Sequence, residues 1–531
     1  MHLSPHSLRQ IDDAYLQSLE VEALRGLSMR LLADLKEAWD RLNQGPENSS
    51  RPPSSRAPWE RKNGGERETD ADAEADAMAA DDDREPEPAA NLAEPKSAEP
   101  KSAEPKSAEP KSAEPKPTRK PGKQPGAPGI GRTQVFQANG EQAHYPERCA
   151  GCGQPLAGAG AVAYTGFQAV DLRWDEPARP GLTLWVVDHR YEEISCPCGH
   201  VTRAVAGHGV VDPLLAGIEL SEWRLVGPGL AALIVALALR FRLSRARIQE
   251  FLAEWRGLEL SIGTIHQTLH EASAAVAPAE DELVRAVLES DLLHADETPW
   301  PEARQTLWLW VFVATTATLY YVAGRGKERV ENVLDGFTGW LMSDGWGSYR
   351  HYARRLRCWA HLIRKARGLA QSCDREARAF GRLVLDTLEA LMAAVYAARE
   401  GPPPVDLPTQ HASLLAALRA TCEQGQGSTH PKTHALAVEL LNDWEAIFQV
   451  LSHPELPLTN NAAERALRHW VILRKLSLGT RTPVGSRVVA LLASVIDTCR
   501  QRGHTPWRYL ERAIADRRAG LPLAPLPQPG G

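Results

Sequence analysis

The sequence predicts a multidomain α+β protein, in which a small β-rich module and a helical region precede an α/β unit and a long helical block. Three observations carry this. The chain has 531 residues, more than one core holds at roughly 100 to 200 residues per domain. Its 39 prolines and 40 glycines gather in patches, which marks linkers. Between residues 292 and 343, three β-branched and aromatic runs precede a polar helix and a further strand, the order of an α/β unit opening with an antiparallel meander.

The elements follow in order. Residues 1–44 place Leu16, Leu19, Leu24, Leu27, Leu31, Leu35 and Leu42 at helical spacing among charges, which predicts a short coiled coil or helical hairpin. Residues 45–132 hold an acidic run, five AEPK units and the basic KPGKQPGAPGIGR; alternating charge and regular proline predict a disordered linker that lets the helix act at a distance. Residues 133–210 carry short strands such as LTLWVVDHRYEEI between glycines and prolines. Residues 211–280 turn helical, with starts at Gly-Pro, Ser244 and Ser261 and a stop at Gly257. This pattern suits a helix-turn-helix and a structural bundle alike.

The run from 307 to 323 breaks at Thr315 and Thr316 and predicts a hairpin of buried strands. Residues 281–495 form the α/β domain, interrupted by an almost wholly helical stretch at about 366–451, and 496–531 form a terminal helix and a proline-rich tail. The longest apolar run, Leu230 to Leu239, falls short of the roughly 18 residues that span a bilayer, and no apolar signal core opens the chain. A cytoplasmic protein without membrane contact is expected.

The net charge of −6 hides an uneven distribution, since Glu66 to Glu87 carries eleven acids against two arginines. Arg350 to Arg367 carries seven Lys or Arg and no acid, and Arg465 to Arg487 carries six and no acid. Such runs suit a polyanion, because neutralising phosphates releases counterions; each alone also suits a solvated helix face.

Two constellations could hold metals. Cys149-Ala-Gly-Cys152 and Cys196-Pro-Cys198 supply four soft ligands at the close spacing that a tetrahedral zinc ion takes, with His200 as an alternative fourth ligand. Neighbouring Gly151, Gly153 and Gly199 suit the turns of such a knuckle. Asp296 and Asp344 each end a predicted strand, and adjacent strand ends would bring both carboxylates together, a setting for a hard divalent cation or for plain turn residues. Glu297 should face the other way. Glu464 opens a basic helix, where it fits either a capping box or a third acid.

The order Asp296, Asp344, Glu464 on such a strand pattern resembles the DDE transposases, whose catalytic domain is RNase H like. The strings HADETPW, LMSDGWGSYR, CWAHLIRKAR, LTNNAAERALR and TCRQRGHTPWRYL are similar to those of the bacterial insertion sequence 66 family. The upstream KPGKQPGAPG, the paired cysteines and the GPGLAAL to SIGTIHQTL helices resemble its linker motif, zinc module and helix-turn-helix region. The chain departs from that pattern at Cys196-Pro-Cys198, where members commonly have a CxxC pair, and at Leu362 and Ile363, which separate CWAH from its basic residues.

The resemblance implies that Asp296, Asp344 and Glu464 bind two magnesium (or manganese) ions, and that Cys358 and His361 are the CxxH pair of several DDE groups. It marks the helical stretch as an insertion into the catalytic domain. The expected partner is double-stranded DNA, both element ends and target, met by Arg354, Arg355, Arg364, Lys365, Arg465, Arg468, Arg474 and Lys475. A homodimer or larger assembly is expected, with small accessory proteins of the element as further partners, at the bacterial nucleoid. The competing readings are a non-catalytic zinc-containing DNA-binding protein and a nuclease without strand transfer.

Overall fold

The computed structural model describes residues 11–42, 48, 134–158, 160–173, 181–204, 226–401 and 406–530, all within one packed unit. The acidic tract, the AEPK repeat and 205–225 lie outside the described residues. No helix among the described residues is long and apolar enough to cross a membrane.

After a short helix α1 (Asp13–Gln17), α2 (Val21–Leu42) buries only Leu27 and Asp34 and leaves Met29, Leu35, Trp39 and Leu42 exposed. Its far end is not independent of the body. Asp40 accepts hydrogen bonds from Ser372 Oγ at 2.6 Å and from the Cys373 amide at 3.0 Å. A single short carboxylate makes this contact, and nothing in the leucine pattern announces its partner.

The cysteine-bearing module is a four-stranded sheet. β1 (Gly140–His144) pairs parallel to β3 (Thr183–Ser195), which also pairs antiparallel to β2 (Val162–Arg173) and β4 (Val201–Arg203). The module docks through Asp171 on β2, whose Oδ1 accepts from the Leu230 amide at 2.9 Å and so caps the first turn of α3 (Pro228–Val235). That approach explains the GPG string: a Cβ on Gly227 would lie 2.3 Å from the Asp171 carboxyl carbon.

α3 continues as a π-helical turn, Ala236–Arg240, and is followed by α4 (Arg245–Arg256), α5 (Ile262–Val276) and α6 (Ala279–Leu288). The expected signals hold. Ser244 caps α4, Ser261 caps α5, and Gly257 takes the left-handed conformation that closes α4. From Thr268 to Val276 every residue of α5 is buried, so only its first turns face outward.

The central sheet runs β7-β6-β5-β8-β9, built from β5 (Leu292–Glu302), β6 (Gln305–Val313), β7 (Thr318–Ala323), β8 (Trp340–Ser343) and β9 (Arg355–Arg357), with α7 (Lys327–Val333) before β8. The first three are antiparallel neighbours, while β8 and β9 run parallel to β5. β5 does not stop at Asp296 as expected. It pairs with β8 only up to His294 and then continues beside β6 to Glu302. Pro299 and Pro301 are tolerated because that stretch has β6 on one side and no strand on the other.

The opposite edge, β7, is covered. Its Thr318 and Tyr320 amides donate to Thr498 Oγ1 at 3.0 Å and Ser494 Oγ at 2.8 Å on α15 (Pro483–Gln501), so the helix satisfies backbone groups that an edge strand leaves open. α14 (Asn461–Ser477) precedes α15, and α16 (Pro506–Arg518) ends the helical content.

Between β9 and α14 lie α8 (Trp359–Ala370), α9 (Arg375–Glu400), α10 (Leu407–Gln410), α11 (Ala412–Gly425), α12 (Pro431–Asn442) and α13 (Trp444–Phe448). They share their own apolar core, including Leu362, Val384, Leu391 and Leu440. α8 contributes to it, so the block begins at Trp359, slightly before the expected 366. Buried charges fasten it to the sheet: Arg357 on β9 pairs with Asp443 and, at 2.6 Å, with Glu439, and Arg355 reaches Asp443 at 2.9 Å. Arg357 and Asp443 have no exposed side-chain surface.

Removing one member of a buried pair strands the other's charge. Asp443→Ala should therefore cost about 3 to 5 kcal/mol in denaturant unfolding, whereas the double change Arg357→Met with Asp443→Leu should recover only part of that loss, because Arg355 still lacks its partner.

Candidate functional site

Two groups of ligand-type side chains come together among the described residues. The first is Cys149, Cys152, Cys196 and Cys198, whose Sγ atoms all lie within 4.8 Å of one another. The turn after β1 brings one pair and the β3–β4 turn the other. Cys149 to Cys198 and Cys152 to Cys196 are each 3.6 Å apart, near the roughly 3.8 Å edge of a tetrahedron with zinc–sulfur bonds of about 2.3 Å. Gly153 and Gly199 take positive φ, as the knuckle turns require. Gly151 makes room for the His200 ring, 3.0 Å from where its Cβ would be, and His200 is not in the cluster. The one-residue spacing of Cys196 and Cys198 thus still delivers both sulfurs. Backbone amides of Cys152 and Gly151 pull the Cys149 thiol down to about 6. Cys196 is pushed up to about 12, since burial and three neighbouring thiols outweigh the Cys198 amide that favours its thiolate. Four thiolates this close need a cation to coexist.

The second region lies at the carboxyl edge of the β5–β8 pair. Asp296 lies two residues past His294, the last β5 residue paired with β8, and Asp344 follows the last residue of β8. Their charges meet: Asp296 is held well above the usual carboxylate range by burial, then by Asp344, Glu297 and Glu464. Asp344 Oδ1 accepts from the Trp346 amide at 2.9 Å, which fixes it in the turn. Glu297 is bonded to Arg325 at 3.0 Å and Tyr349 Oη at 3.2 Å, and burial with Asp344 lifts it to about 7. Tyr349 and Arg325, the latter stacked over Trp308, are partners the sequence did not single out.

Glu464 is not the capping residue of α14. It lies four residues after the N-cap Asn460, and no side-chain cap bond is formed there. Its Oε1 is buried without a hydrogen-bond partner and lies 3.8 Å from His361 Nδ1, which is equally unpartnered. With Cys358 Sγ these atoms form the second compact group, all within 4.8 Å. Asp296 and Asp344 do not belong to it, so Glu464 is turned toward the Cys-His pair. Burial and Arg364 push His361 down to about 4, against the opposing pull of Asp344. A cavity of about 470 Å³ opens beside this group, lined by Asp344, His361, Lys365 and, from the helical block, Glu439 and Asn442.

Asn460 was not anticipated. It is 1% exposed; its amide donates to Cys358 Sγ at 3.3 Å, its Nδ2 to the Ala295 carbonyl at 2.9 Å, and its Oδ1 meets His294 Nδ1 at 3.2 Å. Two adjacent asparagines ahead of Glu464 were the available signal. The basic residues divide. Arg354, Arg465, Arg468 and Lys475 are exposed, whereas Arg355 is paired with Asp443, Lys365 with Glu439 at 2.7 Å, and Arg474 with Thr298 at 2.7 Å. Arg364 is partly buried, its Nε unpartnered. A charge run shows cations but not the distant carboxylates that neutralise them.

Replacing Cys149 and Cys152 together by Ser should abolish metal uptake by the four-cysteine group, read as zinc content after dialysis. A carboxyl whose folded pKa is raised favours the folded state at low pH and loses that contribution as pH rises through the folded value. Glu297→Gln should therefore flatten the decline in stability between about pH 4.5 and 7 by roughly 2 to 3 kcal/mol, measured as unfolding free energy against pH.

Residues 224–488 match the sequence profile described as "Transposase IS66 family". The chain is also similar to uncharacterized proteins of Sinorhizobium fredii. It is 26% identical to y4qI over 301 residues, 51% of this chain and 56% of that protein. It is 28% identical to y4jO over 231 residues, 39% of this chain and 68% of that protein, and 26% identical to y4hP over 335 residues, 55% and 59%. The chain thus spans little more than half the length of y4qI and y4hP. The matched region contains Asp296, Asp344, Cys358, His361 and Glu464, and through it the chain belongs to the transposase IS66 family.

Proposed function

We propose that the protein is a DNA transposase that binds the ends of an insertion sequence and carries out strand cleavage and strand transfer. One observation carries the reading: Asp296 lies two residues past the end of the parallel β5–β8 pairing and Asp344 directly after β8, with Glu464 near the start of a packed helix, all within the family-matched region. The strand order β7-β6-β5-β8-β9, three antiparallel strands followed by two parallel ones, supports an RNase H like core.

The donor set fits hard divalent cations. Asp296 is buried among like charges, and Glu464 Oε1 has no partner, which is costly unless a cation compensates. Asp296, Asp344 and Glu464 would hold two magnesium or manganese ions, which when bound supply Lewis-acid stabilisation of phosphoryl charge and a more acidic water. The chain's own residues orient the reaction. Arg325 and Tyr349 hold Glu297 beside Asp344, and the Trp346 amide fixes Asp344 itself.

Exposed Arg354, Arg465, Arg468 and Lys475 would meet DNA phosphates. The zinc-class cysteine module and the α4–α5 pair would add end recognition, and the exposed apolar side chains of α2 would join copies that must hold two ends together.

Purified full-length protein, a labelled element end and magnesium form the test. Asp344→Asn and Glu464→Gln should each lower cleavage and joining by about three orders of magnitude or more while end binding persists. A non-catalytic DNA-binding protein would show no metal-dependent cleavage in the wild type, and a nuclease would cut without joining. If Glu464→Gln cleaves and joins like the wild type, Glu464 is not the third acid.

A further inference from the structure

Cys358, His361 and Glu464 are arranged as a ligand set of their own. Cys358 is fully buried as the N-cap of α8, and its Sγ accepts from the Asn460 amide at 3.3 Å, with the His361 and Ala360 amides also turned to it. Burial nonetheless keeps this thiol above its usual range despite the amides, so a bound cation is what would make it a thiolate. His361 Nδ1 and Glu464 Oε1 are buried, face each other at 3.8 Å and have no hydrogen-bond partner. This separation is too long for a hydrogen bond. A shared cation answers both orphaned atoms. Ideal tetrahedral edges between sulfur, nitrogen and oxygen ligands of zinc are roughly 3.3 to 3.6 Å; the His361–Glu464 separation is close to such an edge, and Cys358 Sγ lies within 4.8 Å of both.

We propose that Cys358 Sγ, His361 Nδ1 and Glu464 Oε1 form a binding site for a zinc-class divalent ion, distinct from the cysteine module and from the Asp296–Asp344 pair. A thiolate and an imidazole select such an ion over magnesium, which prefers oxygen ligands. His361 also lines the cavity that Asp344 lines. Because Glu464 belongs to both sets, zinc here withdraws it from magnesium and holds the chain inactive. That consequence rests on the proposed function; the site itself does not.

The experiment is metal stoichiometry on the full chain, stripped with chelator and dialysed against zinc, with cobalt as an optical probe of thiolate ligation. The wild type should bind two zinc ions. Cys149→Ser with Cys152→Ser should leave one, and Cys358→Ser should also leave one, with loss of one set of sulfur-to-cobalt charge-transfer bands. His361→Ala tests the same site should Cys358→Ser fail to fold, as judged by circular dichroism, and Asp344→Asn should keep both ions. A wild type that binds one zinc, or a folded Cys358→Ser and His361→Ala that each retain two, overturns the site.

Zinc should also inhibit magnesium-dependent cleavage, and His361→Ala should raise the zinc concentration for half inhibition at least about tenfold. If the second zinc is absent while Glu464→Gln abolishes cleavage, the site falls and the transposase reading stands. If the second zinc binds while Glu464→Gln still cleaves, the site stands and the third-acid assignment falls.

Discussion

The candidate site depends on one buried amide side chain. Asn460 bonds through its backbone to Cys358 and through its side chain to Ala295 and His294, so it joins the strand carrying Asp296, the start of the helix carrying His361 and the start of the helix carrying Glu464. These three segments are far apart in sequence, and the whole helical block intervenes before the third. A buried polar group must be fully satisfied to be tolerated. This requirement fixes the relative position of the three segments more sharply than apolar packing would. The chain is then free to carry a second apolar core between β9 and α14 without loosening the site.

Much of the fold was legible because its signals are local. The caps Ser244 and Ser261, the left-handed Gly257 and the break between β6 and β7 each follow from a few neighbouring residues. The cysteine cluster was readable for a similar reason, since close pairs and left-handed glycines specify knuckle turns. What escaped was non-local. The continuation of β5 past Asp296 depends on β6, the anchoring of α2 depends on Ser372 and Cys373, and the fate of Arg355 and Lys365 depends on acids of the helical block.

The acids show the same division. Their nearness at one sheet edge followed from strand order, but the orientation of Glu464 did not. Two explanations competed for it, a helix cap and a third acid, and sequence spacing alone favoured neither. The structure removes the cap, because α14 starts at Asn461 with Glu464 too far along to reach back to its N-cap. It also turns the carboxylate toward a sulfur and an imidazole that lie more than a hundred positions earlier.

The internal pairing of arginines and lysines has a consequence for how such a protein would respond to ionic strength. In the proposed DNA complex, the slope of log affinity against log salt counts the phosphates actually neutralised, at about 0.9 per contact. Cations already joined to buried carboxylates release no counterions when DNA arrives. Of the eight basic residues singled out from sequence, four are exposed, Arg355 and Lys365 are joined to carboxylates, and Arg474 is bonded to the neutral Thr298 hydroxyl. These pairings make the charge runs overstate the electrostatic grip, and correspondingly more of the affinity for a particular DNA end would come from shape and base contacts that salt does not screen.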